Sequence, residues 1–157
     1  MNTTGKVYCI SLPLREFYCI MITTGKLNCW IIPTGDFYCK IITTAKLYPI
    51  PIVTGDFYCI TITTGQFYCR IITTGDSYCR IFPTGDIYCI MITTGRLFCI
   101  IIPSWELYCK IITKGKLSFI FFPTGEFYCI MLTTGKIYWI TISTGKFYCI
   151  MIPTKKL

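Results

Sequence analysis

Twelve cysteines are the most conspicuous reactive groups in this 157-residue chain, which contains no histidine. They recur at intervals of ten residues or multiples of ten, as at Cys9, Cys19, Cys29 and Cys39, and never as Cys-x-x-Cys. Tetrahedral zinc sites bring their ligands in close pairs, whereas a thiol every ten residues makes a line that cannot by itself wrap one ion. Packing in a core as small hydrophobes is the expected role. Disulfide cross-links and a metal site are the alternatives. Without histidine the commonest general base is missing. The seven carboxylates are scattered singly, one to a repeat at most. No catalytic, metal or cofactor-binding residue is therefore assigned, no small-molecule substrate is evident, and a protein without enzymatic activity is expected.

Other motifs fail on spacing. Gly-Lys recurs at Gly5-Lys6 and Gly25-Lys26, but Val or Leu follows where a phosphate loop needs Ser or Thr. Asn2-Thr3-Thr4 fits a glycosylation acceptor, which matters only in a secreted protein. The adjacent Thr-Thr pairs lack the alternation that would put both hydroxyls on one face of a strand, so turn chemistry explains them better than water ordering. A tyrosine column with Lys40, Arg70, Arg80 and Lys110 beside it could stack bases, so nucleic acid or another polyanion is a candidate partner. A tyrosine stripe on a half-exposed sheet is the commoner meaning of such a column.

These residues are carried by one decapeptide written again and again, as in Pro83-Thr84-Gly85-Asp86-Ile87-Tyr88-Cys89-Ile90-Met91-Ile92. A fixed period is the signature of a repeat architecture. Four residues of each unit read as a turn. The other six are β-branched and aromatic and too short for a helix, so they read as a strand. Pro and Gly in Phe82-Pro83-Thr84-Gly85 suit a type I turn closed by a left-handed glycine, the usual three-residue hairpin loop. That loop would set Phe82 opposite Asp86, Ile81 opposite Ile87 and Cys79 opposite Cys89.

The expected fold is therefore all-β: a tandem ten-residue repeat, with a twenty-residue hairpin unit, forming an antiparallel meander of up to 15 strands that closes as a barrel or sandwich. The alternative is a two-sided parallel β-solenoid with a twenty-residue coil. Charge spacing tips the choice towards the meander. Like charges at the turns stack at about 5 Å in a solenoid and about 10 Å in a meander, so repulsion in water is about 0.8 against about 0.4 kcal/mol per pair. In either fold the Phe/Leu, Cys and Ile/Met columns make a core face, and the Tyr column a partly solvated one.

The array is one unit over 1–157, with a break expected at 47–52, where Pro49 and Pro51 enter a strand. Arg15, Ala45, Trp105 and Lys155 replace the turn glycine, at an expected cost of about 1–2 kcal/mol each if the backbone there is left-handed. Charged residues are 14% of the chain, against about 25% in ordinary soluble domains, so much apolar surface must be covered. No apolar run reaches the roughly 18 residues of a transmembrane helix. No leader precedes the repeat at Thr3, which favours an intracellular, reducing compartment. The net charge of +8 comes mostly from solvated turn positions such as Lys26, Lys46 and Lys136. The turn charges run in blocks that change sign halfway along the array, and the end strands Val7–Leu12 and Phe147–Ile152 carry no charge or proline. Unpaired edges of this kind invite association with other copies. A structural or self-associating repeat protein is the first functional expectation. A binding module for nucleic acid or another polyanion through the Tyr/Lys/Arg face is the second. A translated tandem-repeat reading frame without selected function is the third.

Overall fold

The structure, a computed structural model, describes residues 2–153. Its strands are numbered β1 to β16 in chain order. One sheet holds β1 (Asn2–Thr3), β3 (Phe17–Thr23), β5 (Phe37–Thr43), β7 (Phe57–Thr63), β9 (Ser77–Pro83), β11 (Arg96–Ile101), β13 (Lys116–Phe121) and β15 (Ile137–Thr141). The other holds β2 (Val7–Ser11), β4 (Leu27–Ile31), β6 (Leu47–Val53), β8 (Phe67–Thr73), β10 (Ile87–Thr93), β12 (Leu107–Thr113), β14 (Phe127–Thr133) and β16 (Phe147–Pro153). Consecutive strands lie in different sheets, and each pairs in parallel with the strand two places along. The fold is the two-sided parallel β-solenoid, one twenty-residue coil to a turn of the chain. The antiparallel meander, with its barrel or sandwich closure and its hairpin unit, is overturned. Cys79 lies beside Cys59 and Cys99, not opposite Cys89, and Cys89 lies beside Cys69 and Cys109.

The turn chemistry explains the difference. A hairpin loop of the expected kind needs a left-handed glycine in every repeat, yet among the described glycines only Gly5 and Gly115 have positive φ. The other corner glycines serve a close approach between coils. A Cβ on Gly75 would lie 2.7 Å from the carbonyl carbon of Gly55 and 2.9 Å from Asp56 Oδ1. No non-glycine residue has positive φ among those described, so the left-handed strain expected at Arg15, Ala45 and Trp105 is absent; Lys155 lies outside the described residues. The residue that opens the supposed turn is a further inward-facing position, the strand end where it is threonine and, at Pro33, Pro103 and Pro123, two residues past the ends of β4, β11 and β13. Pro33, Pro103 and Pro123 are buried there, as are Thr43, Thr63 and Thr93 at the same place in other coils.

Electrostatics also resolves differently from the expectation. The acidic ladder Asp36, Asp56, Asp76 stacks along one corner, but each carboxylate accepts a backbone hydrogen bond from the coil above it. Asp36 Oδ1 accepts from the Asp56 N–H at 2.9 Å, Asp56 Oδ1 from the Asp76 N–H at 2.9 Å, and Asp76 Oδ1 from the Arg96 N–H at 2.8 Å. A hydrogen bond to a charged group is worth about 1.5–3 kcal/mol. That outweighs the extra repulsion of about 0.4 kcal/mol per pair on which the meander was preferred.

The two inner faces meet in one core. Phe37, Phe57, Phe67, Phe119, Phe121 and Phe127 are its largest buried side chains, and the cysteines from Cys29 to Cys129 lie among them. Residue sizes trade between coils: Ser77 follows Phe57 in one inward column, and Phe119 and Trp139 continue the column that holds Cys79 and Cys99. The proline pair lies inside β6, between β4 and β8. Odd-numbered residues donate towards the following coil, as Leu47 N–H does to the Gln66 carbonyl at 3.0 Å. Pro49 and Pro51 therefore leave the β4 side of the strand intact and open only the β8 side, where register is kept at Leu47, Ile52 and Val53.

The two threonine columns at the strand ends, one in each sheet, are partly unsatisfied. Thr23 and Thr43 share a hydrogen bond of 3.1 Å, but the buried hydroxyls of Thr73, Thr93 and Thr113 have no partner. Burying a hydroxyl without a partner costs about 1–3 kcal/mol. Thr93→Val keeps the shape and removes the hydroxyl, so it is expected to stabilise the fold by about 1 kcal/mol. Urea denaturation of the two proteins checks this; a lower midpoint for the valine variant would contradict it.

Candidate functional site

The candidate site is a pair of grooves, one on the outer face of each sheet. In-register parallel pairing stacks like on like, so outward tyrosines form ladders. On the even-numbered sheet, Tyr48, Tyr68, Tyr88, Tyr108, Tyr128 and Tyr148 stack with ring centroids 4.8–5.0 Å apart and planes within 8° of parallel. On the odd-numbered sheet, Tyr18, Tyr38, Tyr58 and Tyr78 stack at 4.6–4.8 Å, and Phe98 ends the run with its ring tilted by 40°. Desolvation, then the charges of Tyr68, Asp86 and Glu106, raise the Tyr88 phenol above its ordinary value. Tyr88 is thus neutral at ordinary pH.

Two residues further along each strand runs a second column. On the even-numbered sheet it reads Ile50, Arg70, Ile90, Lys110, Ile130, Ile150, and on the odd-numbered sheet Ile20, Lys40, Ile60, Arg80. The groove between ladder and column has a volume of about 620 Å³ on the first face and about 490 Å³ on the second, and Cys69, Cys89 and Cys109 belong to the lining of the larger. The four cations expected on one face are divided two and two, and on each face they recur at every second coil. No acidic side chain lines either groove.

Stacking decides what these ladders can do. Inside a run each ring's faces are covered by the rings above and below, so that stretch of the ladder offers edges and hydroxyls. A base needs a free aromatic face. Within a run that face is taken up by the neighbouring ring, and Tyr18 and Tyr148 are rings at which a run ends.

The corners form two charged ridges. One carries Glu16, Asp36, Asp56, Asp76, then Arg96, Lys116, Lys136. The other carries Lys6, Lys26, Lys46, Gln66, then Asp86, Glu106, Glu126, Lys146; Lys156 lies outside the described residues. Where the sign changes, neighbouring coils pair: Asp76 with Arg96 at 4.0 Å and Glu126 with Lys146 at 3.1 Å. Hydrogen bonds from Lys146 and Tyr128 hold the Glu126 carboxyl below its ordinary value. The carboxylates are spread along the ridges, and among the described residues no three His, Cys, Asp or Glu side chains are grouped to hold one ion.

All twelve cysteines are free thiols. Burial, then neighbouring thiols, pushes Cys79 and Cys99 well above the ordinary thiol range. The buried polar side chains described are threonines and one serine, so no cation is present in the core to hold a thiolate. The cysteines are placed to pack rather than to react. Among the described residues no helix is long and apolar enough to cross a membrane. Sequence reasoning missed the grooves and the carboxylate-to-backbone ladder. The twenty-residue recurrence of Asp36, Asp56 and Asp76 was the available signal for the latter. Comparison with family models, with curated proteins and with solved structures gives no match.

Proposed function

We propose that this protein is a non-enzymatic structural solenoid that associates side by side with other copies of itself through its charged ridges. The observation that carries this reading is the sign pattern of the ridges. At most levels of the solenoid the two ridges are opposite in charge: Lys26 with Asp36, Lys46 with Asp56, Asp86 with Arg96, Glu106 with Lys116, Glu126 with Lys136, with neutral Gln66 beside Asp76 as the exception. Two copies lying parallel, ridge against opposite ridge, would match these pairs along most of their length. An exposed pair is worth only about 0–1 kcal/mol, so the association would draw on the whole row and weaken as salt screens it. The outer faces are poorer candidates for self-pairing. Lys40, Arg70, Arg80 and Lys110 are the charges that line their grooves, and face-to-face contact would oppose cations to cations.

Sedimentation at micromolar concentration, with reductant present, tests this. The expected result is association at low ionic strength that is lost by about 0.5 M salt, where the screening length is only about 4 Å. Lys26→Glu with Lys46→Glu is expected to abolish it without touching the carboxylates that bond the backbone. Association that strengthens with ammonium sulfate and ignores those substitutions would assign it to the apolar faces. A monomer at every concentration would remove the reading altogether.

A further inference from the structure

We infer that the groove on the even-numbered sheet is a binding site for a long, unbranched fatty acid, its carboxylate held by Arg70 and its chain laid along the tyrosine ladder. The groove crosses six coils, from Tyr48 to Tyr148, which at the strand spacing is about 24 Å. In-register pairing continues its two walls from coil to coil. Its volume of about 620 Å³ lies within the range of small-molecule sites.

The chemistry of the walls selects the ligand. One wall is tyrosine ring edges and the other is isoleucine, with the aliphatic stems of Arg70 and Lys110 set into it. Polar groups are confined to those two cations and the phenol tips, so the stretch between them suits methylenes and leaves a polar chain without partners. Planar rings gain little, because the tyrosine faces are already stacked on each other. Both charges in the lining are positive, and the carboxylates of Glu106 and Glu126 stand at the hydroxyls of Tyr108 and Tyr128, two coils or more from Arg70, so the head group at Arg70 is an anion. Arg70 favours a carboxylate in particular, since its guanidinium can donate two parallel hydrogen bonds. From Arg70 to Tyr148 is four coils, about 19 Å. An acyl chain in a bilayer spans half of a hydrocarbon core about 30 Å thick, so a chain of ordinary length fits in one direction from its head group. A second copy on this face would set Arg70 and Lys110 against further cations.

Palmitate below its micellar concentration is the probe, followed by calorimetry, with its methyl ester and octanoate as comparisons. Palmitate is expected to bind the full-length protein, and octanoate far more weakly. Arg70→Gln with Lys110→Gln is expected to weaken palmitate about tenfold or more, the loss of one charge-assisted hydrogen bond, and to leave the ester unchanged. Ile90→Trp, at an outward position, is expected to fill the groove and abolish binding of both. Circular dichroism of each variant separates lost binding from lost fold, and Arg80→Gln on the opposite face serves as a folded control expected to bind normally. Binding indifferent to Ile90→Trp overturns the site, and so does equal loss of acid and ester in the double glutamine variant. Binding to anionic phospholipid vesicles without binding to palmitate would also overturn it, in favour of a membrane surface.

Discussion

Raising the pH past about 9 is expected to unfold the solenoid cooperatively. Burial raises Cys69, Cys79 and Cys99 well above the ordinary thiol value of 9.0. Cys109 is raised by its thiol neighbours Cys129 and Cys89 and by burial. A folded-state value above the unfolded one means that the native protein holds the proton more tightly. The stability these groups contribute is complete below pH 9 and is lost as the pH climbs from there towards the folded values. Each such thiol weakens the fold progressively in that window, whereas Cys59 and Cys89, lowered by hydrogen bonds from their thiol neighbours, contribute nothing to the loss there. The tyrosine ladders act in the same direction, since Tyr38, Tyr58 and Tyr88 are also raised. The β signal in circular dichroism is expected to hold to about pH 9 and to collapse well before pH 12, reversibly with reductant present. A β signal unchanged at pH 12 would contradict the burial of the thiol columns.

The largest effect of a single substitution is expected at Phe121→Ala. Phe121 is fully buried, with ring centroids 4.4 Å from Phe119 and 4.3 Å from Phe127. It joins the two sheets in the coil below Trp139. Truncating a buried phenylalanine costs about 3–5 kcal/mol. In a repeat array that loss falls on the interface between neighbouring coils. β15 and β16 are therefore expected to lose hydrogen-exchange protection first, while β5 to β10 keep theirs. Uniform loss of protection along the chain would show that the array unfolds as one unit.

Much of this architecture was legible in the chain. The ten-residue period places a strand in each repeat, and alternation sends Phe37, Cys39 and Ile41 inward and Tyr38 and Lys40 outward, as the structure has them. Which strand pairs with which was not legible, because ten- and twenty-residue spacings fit the same letters. Pro-Thr-Gly suits a hairpin on local grounds, but Pro33 and Pro123 are buried two residues past the ends of β4 and β13, and Gly75 is needed for close packing on the coil before it. The repulsion argument failed because the aspartates are also acceptors for backbone N–H groups. The grooves follow from the pairing. Once Arg70 and Lys110 are separated from Lys40 and Arg80, each face becomes a long apolar channel with two cations, a shape that a single-sheet reading does not contain.

The distance between residues 26 and 146 tests the parallel solenoid most directly. Both positions are exposed lysines on the same ridge, and spin labels can be carried there on non-thiol anchors. In the solenoid they are six coils apart, about 29 Å at the strand spacing. In an open meander they are twelve strands apart, about 58 Å, and closure of fifteen strands into a barrel would bring them to about 14 Å. Pulsed dipolar spectroscopy on the reduced, dilute protein is predicted to give a single distribution near 29 Å, broadened by the label arms; a distribution centred near 58 Å or near 14 Å would contradict the parallel solenoid.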